Sequence, residues 1–151
     1  KEVLKNWFFL NSSHVVDLAF FLGGFPFKIN TFNSKNINWK DSPSIFCGAG
    51  KTKNNVMFSY NANWNSAGRW YSEFLTKRGK YILCPLEKLF FQKRGSLKIK
   101  EVVLRSRADK KFKPGLYLQV KAFLNNDKNL VQLSNYNSFL NLYSQMLGFD
   151  K

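Results

Sequence analysis

The sequence predicts an α+β domain with a single, mostly antiparallel β-sheet and helices packed on one face of that sheet. Apolar residues follow helical spacing near both ends of the chain, alternate with polar residues between about residues 27 and 106, and are separated there by short turns. Short turns favour antiparallel neighbours, because parallel strands need long crossover connections. The chain has 151 residues, 44% of them hydrophobic, which suits one domain over residues 1–151.

The first predicted helix covers residues 11–22. Asn11, Ser12 and Ser13 are typical capping residues, and Gly23-Gly24 supplies a stop signal. His14 and Asp17 lie three residues apart, so they share one face of this helix.

The alternating region predicts a run of strands. The clearest runs from Val56 to Trp64, where every second side chain is apolar, so this strand has one buried face. The predicted strands cover residues 27–30, 44–50, 56–64, 70–77, 80–84, 88–92 and 96–106. Turn signals stand at Ser66-Ala67-Gly68, Arg78-Gly79 and Arg94-Gly95.

Two further helices are predicted after the strands. One follows Lys113-Pro114-Gly115 and carries an apolar stripe; the other covers residues 135–147, with Ser134 as its N-cap and Gly148 as its stop. The stripe of the first comprises Leu116, Val120, Phe123 and Leu124, and that of the second comprises Phe139, Leu142, Tyr143 and Met146.

The net charge of +15 favours a polyanionic partner or a phosphorylated substrate, or else reflects a solvated surface enriched in Lys by codon composition. Lys and Arg are spread along the chain and form no basic block. Nucleic-acid binding is therefore the least favoured class of function.

Several kinds of site are not predicted. Cys47 and Cys84 lack CxxC spacing and a His cluster, so we expect buried free thiols, no metal and a cytoplasmic location. No strand is followed by GxGxxG, and the segment from Gly48 to Thr52 lacks the earlier Gly and the following helix of a phosphate loop. The longest apolar stretches are too short to span a membrane.

Residues 11–26, NSSHVVDLAFFLGGFP, resemble the His-containing helix that opens the C-terminal domain of Gfo/Idh/MocA oxidoreductases. Residues 63–70 resemble the strand–turn–strand element of these domains, residues 80–87 are similar to the segment that follows, and residues 113–116 with Phe123-Leu124 resemble the helix entry beyond the sheet. The final helix lies where the family closes its chain. The resemblance covers nearly the whole chain.

The resemblance implies that an N-terminal Rossmann domain, absent from this chain, binds NAD or NADP. The C-terminal sheet holds the substrate and pairs with a second subunit through its open face. It also implies that His14, the one histidine of the chain, acts as acid and base on the substrate hydroxyl or carbonyl. Many family members have an Asp four residues earlier, where this chain has Leu10, so the usual Asp–His pair is not expected.

Four more residues are candidates for substrate binding. Asp17 could orient the His14 ring, and Asn11 either hydrogen-bonds the substrate or caps the helix. Arg69 either clamps a carboxylate or phosphate, or forms an ion pair with Glu73 or Glu87. Trp70, like Trp64, either stacks on a sugar ring or belongs to a core or interface.

The expected function is the substrate-binding and oligomerising half of an NAD(P)-dependent dehydrogenase that acts on a sugar, a sugar derivative or a cyclitol. Alone, the chain is expected to bind no cofactor and to be catalytically silent, since hydride transfer needs a positioned nicotinamide. One alternative is a stand-alone dimerisation module that uses the open sheet face. The other, ranked last, is a basic nucleic-acid-binding domain.

Overall fold

In a computed structural model of the chain, the described residues are 7–34, 43–104, 106–128 and 133–147. The chain divides into two compact units, residues 1–72 together with 139–151, and residues 73–138. Both units contain helix and antiparallel strands, so the predicted α+β class is confirmed. None of the helices in the described ranges has the length and apolar character that crossing a bilayer requires.

The prediction of a single sheet is wrong, because the strands divide between two sheets. The first sheet has the order β1-β2-β3 and the second the order β4-β5-β6-β7. The strands are β1 Pro26–Asn33, β2 Ile45–Thr52, β3 Met57–Asn63, β4 Ser72–Leu75, β5 Gly79–Leu83, β6 Leu89–Lys93 and β7 Ile99–Val102.

The sheets separate at the end of β3. The side-chain oxygen of Asn63 accepts a hydrogen bond from the backbone N–H of Asn65 at 2.8 Å, and the Asn65 amide group donates to Ser44 Oγ at 3.3 Å. Residues 64–71, which follow β3, form no strand. The turn signal at Ser66-Ala67-Gly68 therefore does not join β3 to β4 as a hairpin.

The first helix begins earlier than its capping residues predict. A π-helical turn, Phe8–Ser12, leads directly into α1, Ser13–Gly23. Ser12 has helical dihedral angles and makes no capping hydrogen bond, while the Ser13 hydroxyl donates back to the Phe9 carbonyl. The predicted stop is confirmed, since Gly24 has a φ of 93° and its N–H reaches the Phe20 carbonyl at 3.0 Å.

The first unit has its own hydrophobic core on one face of the first sheet. The two helical segments that cover this face are the stretch from Trp7 to Gly23 and the end of α4, Leu133–Leu147. The buried core residues are Trp7, Phe8, Val16, Phe20, Phe46, Leu142, Tyr143 and Met146. The predicted stripe of the last helix is thus confirmed, with Phe139 packed against the same cluster.

Two glycines of β2 leave room for aromatic rings of β3 on the core face of the first sheet. A Cβ at Gly48 would lie 2.6 Å from the Tyr60 ring, and a Cβ at Gly50 would lie 2.6 Å from the Phe58 ring. The Tyr60 hydroxyl reaches further, donating to the Met146 carbonyl at 2.9 Å. The glycines therefore serve close packing within a paired strand, in agreement with the sequence-based rejection of a phosphate loop.

The second unit carries β5 to β7, most of β4, and two helices, α2 Arg107–Lys111 and α3 Leu116–Leu124. The sequence predicts a strand up to residue 106, but β7 ends at Val102 and α2 follows, with the Ser106 hydroxyl accepting from the Asp109 N–H. The helix α3 forms as predicted, although its apolar stripe is exposed and not buried.

The last helix, α4, starts at Leu133, one residue before the predicted cap Ser134. The predicted stop at Gly148 lies outside the described residues.

Candidate functional site

Four of the five residues predicted to form a site lie together in the first unit. The Trp70 indole N–H donates to Asn11 Oδ1 at 2.8 Å. The His14 ring lies against the Trp70 ring, with 5.3 Å between the ring centroids and 42° between the planes. Asp17 interacts electrostatically with His14. We call Asn11, His14, Asp17 and Trp70 the His14 site.

The elements that hold the site come from distant parts of the chain. Asn11 lies in the π-helical turn, while His14 and Asp17 follow on α1, so a continuous helical backbone places the three. Trp70 comes from the loop before β4 and is positioned by its hydrogen bond to Asn11, 59 residues earlier. Because this bond holds the indole N–H of Trp70, it also determines which part of the indole ring a ligand can contact.

Of the two roles that the sequence suggests for Asn11, the structure is compatible with substrate binding and not with helix capping. Asn11 does not cap the helix, because the helix already runs through it. Its carboxamide oxygen instead positions Trp70, and its Nδ2 hydrogens make no hydrogen bond to a residue in the described ranges. This amide group is therefore the part of Asn11 that can donate to a substrate hydroxyl.

The His14 side chain is exposed, and within the described ranges its ring nitrogens make no hydrogen bond. Its one ring contact is with Trp70. The exposed imidazole thus has no hydrogen-bond partner among the described residues, and a proton-transferring group must be free to bond to its substrate. A histidine satisfied within the core would instead be buried with its nitrogens bonded.

Asp17 does not hydrogen-bond His14, so the predicted orienting contact is an electrostatic attraction at longer range. Burial raises the pKa of the Asp17 carboxyl above its ordinary value, and attraction to His14 lowers it by a smaller amount. Burial and, secondarily, the charge of Asp17 raise the pKa of Tyr143 to about 12. Tyr143 therefore borders the site and keeps its proton at neutral pH.

The sequence reasoning missed Tyr143 as a neighbour of the site. It counted this residue only within the apolar stripe of the last helix, and Tyr143 is indeed buried there. A hydroxyl on an otherwise apolar stripe is the one signal that could have marked it, since a buried Tyr hydroxyl usually faces a polar group.

Arg69, beside Trp70 in the chain, is exposed and forms no ion pair within the described part of the protein. Its predicted partner Glu73 instead pairs with Lys80 at 3.0 Å. The guanidinium is therefore available to an anionic group of a ligand. Trp64 packs against Trp7 with 4.6 Å between ring centroids, as expected for an aromatic residue at the edge of a core.

The described ranges contain no candidate metal site and no disulfide. No three His, Cys, Asp or Glu side chains there are grouped closely enough to hold a metal ion. Cys47 and Cys84 are free thiols, and both are half-buried where full burial was predicted.

No family model matches this chain, and comparisons with curated proteins and with solved structures give no match. The case for a function therefore depends on the residues of the His14 site and on their geometry.

Proposed function

We propose that this chain is the substrate-binding and oligomerising half of an NAD(P)-dependent dehydrogenase that acts on a sugar, a sugar derivative or a cyclitol. The observation that carries the proposal is the His14 site, where an accessible imidazole, an indole face and a free amide group lie together. On this proposal a Rossmann domain outside these residues supplies NAD or NADP, and the present chain alone turns over no substrate.

The proposed chemistry assigns the proton to His14. Bound NAD or NADP would supply the hydride acceptor, and an imidazole nitrogen of His14 would take the hydroxyl proton as the alcohol becomes a carbonyl. Imidazole suits this role because it exchanges protons near neutral pH. The negative charge of Asp17 stabilises the imidazolium that forms.

The surroundings of His14 favour a polyhydroxylated substrate. The Trp70 side chain is 40% exposed, so part of its ring can pack on the C–H face of a sugar or cyclitol. The Asn11 amide group can donate to a hydroxyl beside it. Arg69 adds a cation that fits a carboxylate or phosphate substituent on such a ring.

We expect myo-inositol or glucose to bind the chain at the His14 site, as measured by saturation-transfer NMR. His14→Ala and Trp70→Ala should each weaken binding by about fivefold or more, since each removes a hydrogen bond or a stacking surface worth about 1 kcal/mol. Trp70→Phe keeps an aromatic ring but loses the bond to Asn11, and an intermediate effect is expected. Met57→Ala, an exposed change on β3, should leave binding unchanged.

Binding that His14→Ala, Trp70→Ala and Trp70→Phe all leave unchanged would contradict the placement of the substrate at this site. Turnover of NADH by the isolated chain would contradict its assignment as one half of the enzyme.

The uncovered face of the first sheet favours a second candidate function, homodimerisation. Phe46, Phe58 and Tyr60 point into the core, so the alternate positions of the same strands lie on the opposite face. Two large apolar side chains on that face, Phe32 and Met57, are 71% and 76% exposed. Pairing with a second copy would remove both side chains from water.

We expect light scattering to give a mass of twice the 17.6 kDa of one chain. The measurement needs moderate salt, because two chains of net charge +15 repel each other. Phe32→Lys should return the mass to that of a monomer, while Leu75→Lys, on the exposed surface of β4, should not. A monomeric wild-type chain at high concentration would rule out this candidate.

A further inference from the structure

Most of the positive charge of the chain lies in the second unit. Residues 73–138 contain 15 Lys and Arg against five Asp and Glu, which is a net charge of +10 out of the +15 of the whole chain. In linear sequence the cations look evenly spread, but the folding of the second sheet brings some of them together.

The cations come together at one end of the second sheet. The turn between β4 and β5 and the turn between β6 and β7 lie at this end, because Gly79 pairs with Lys93 in the antiparallel register. The two turns are joined by a backbone hydrogen bond from the Arg94 N–H to the Arg78 carbonyl at 3.0 Å. Five exposed cations belong to these turns: Lys77, Arg78, Lys93, Arg94 and Lys98. We call this group the basic turn pair.

The charges of the basic turn pair are not neutralised within the described part of the protein. Glu73, on β4 of the same sheet, forms its ion pair with Lys80 at 3.0 Å. None of the five cations forms an ion pair with a described residue. Like charges on two adjoining turns repel one another, so binding an anion lowers the free energy of the arrangement.

An open cleft of about 450 Å³ lies beside these cations. Lys93 and Arg94 line it, together with small and polar residues such as Thr76 and Ser96. The cleft is shallow and open to solvent, and its lining offers both charge and hydroxyl groups to phosphate oxygens.

We propose that the basic turn pair is a binding site for the phosphate groups of a small phosphorylated ligand. Arg94 provides a planar guanidinium that can contact two phosphate oxygens at once, and Arg78 stands on the adjoining turn. This site belongs to the second unit and involves no residue of the His14 site, so either proposal can fail without the other.

A nucleic acid fits this surface less well than a small phosphate. Proteins that hold single strands combine a basic groove with aromatic side chains on which the bases stack. The residues that line the cleft include no aromatic side chain. The five cations are also confined to one end of a four-stranded sheet, where a strand of nucleic acid would need a longer basic track.

The test is a titration of the full chain with inorganic pyrophosphate, followed by ¹H–¹⁵N NMR at constant ionic strength. We expect shifts confined to the two turns, in residues 76–80 and 92–98. The double variant R78Q/R94Q should bind pyrophosphate about tenfold more weakly, because it removes two charge-assisted contacts without touching the backbone bond between the turns. The control K110Q/K111Q removes two charges from α2 and should change affinity less than twofold.

Three results would overturn the proposal. Equal losses of pyrophosphate affinity in the two double variants would show that net charge alone attracts the anion. Chemical-shift changes spread over the whole chain would also show attraction by net charge alone. Binding of a twelve-residue oligothymidylate at the turns without binding of pyrophosphate would identify the surface as a nucleic-acid site.

Discussion

Gly50→Ala is expected to lower the free energy of unfolding of the first unit by about 3 kcal/mol or more. A Cβ at this position would lie 2.1 Å from the backbone oxygen of Lys28 and 2.6 Å from Cζ of Phe58. The Phe58 ring could tilt away, but the Lys28 oxygen belongs to the neighbouring strand, so β1 itself would have to move. Urea unfolding followed by Trp fluorescence measures the effect, because all four Trp residues lie within residues 1–72.

Gly68→Ala is the matched control for this variant. A Cβ at Gly68 meets no atom within 4 Å, so the same chemical change should alter stability by less than about 0.5 kcal/mol. If Gly50→Ala proved as stable as Gly68→Ala, the close approach of β1, β2 and the Phe58 ring would be refuted.

Phe8→Ala is expected to destabilise the first unit by about 3–5 kcal/mol. Phe8 is 1% exposed, and its ring lies 5.1 Å from that of Phe46 and 6.1 Å from that of Trp7, measured between centroids. Removing the ring leaves a cavity between the π-helical turn and the sheet, which rigid strands can fill only in part. The loss is comparable to the whole stability of many small domains, so much of the unit should unfold in dilute urea.

Phe21→Ala removes the same ring from a position that is 83% exposed on α1, and its effect should stay within about 0.5 kcal/mol. The difference between the two Phe variants tests whether Phe8 is buried in the core of the first unit. Small effects of both would mean that Phe8 is not part of the core.

The structure brings four of the predicted site residues together, but local sequence patterns explain only part of that arrangement. His14 and Asp17 were placed on one face because helical spacing is a local property, and three residues of separation fix it. Trp70 was named as a candidate, yet no local pattern links it to Asn11, since their hydrogen bond spans 59 residues. The sequence therefore could not predict that Asn11 holds Trp70.

The division into two sheets likewise depends on contacts that local sequence patterns do not predict. Alternation predicts a strand but does not say which strand lies beside it, and a turn signal predicts a change of direction without ensuring a hairpin. Two side-chain hydrogen bonds involve Asn63 and Asn65 at the end of β3, and one of them joins Asn65 to Ser44. The bond between Asn65 and Ser44 depends on the folded position of a segment 21 residues earlier, which no local pattern predicts.

By itself, the sequence determined the α+β class, the antiparallel pairing, most of the helices and strands, and the composition of the last helix's buried stripe. Periodicity, capping and turn chemistry act over a few residues, so they can be read along the chain. The tertiary structure alone decided the separation of the sheets, the packing of Trp70 on His14 and the gathering of cations on two turns. These depend on contacts between residues far apart in the chain, which form only when the whole fold brings them together.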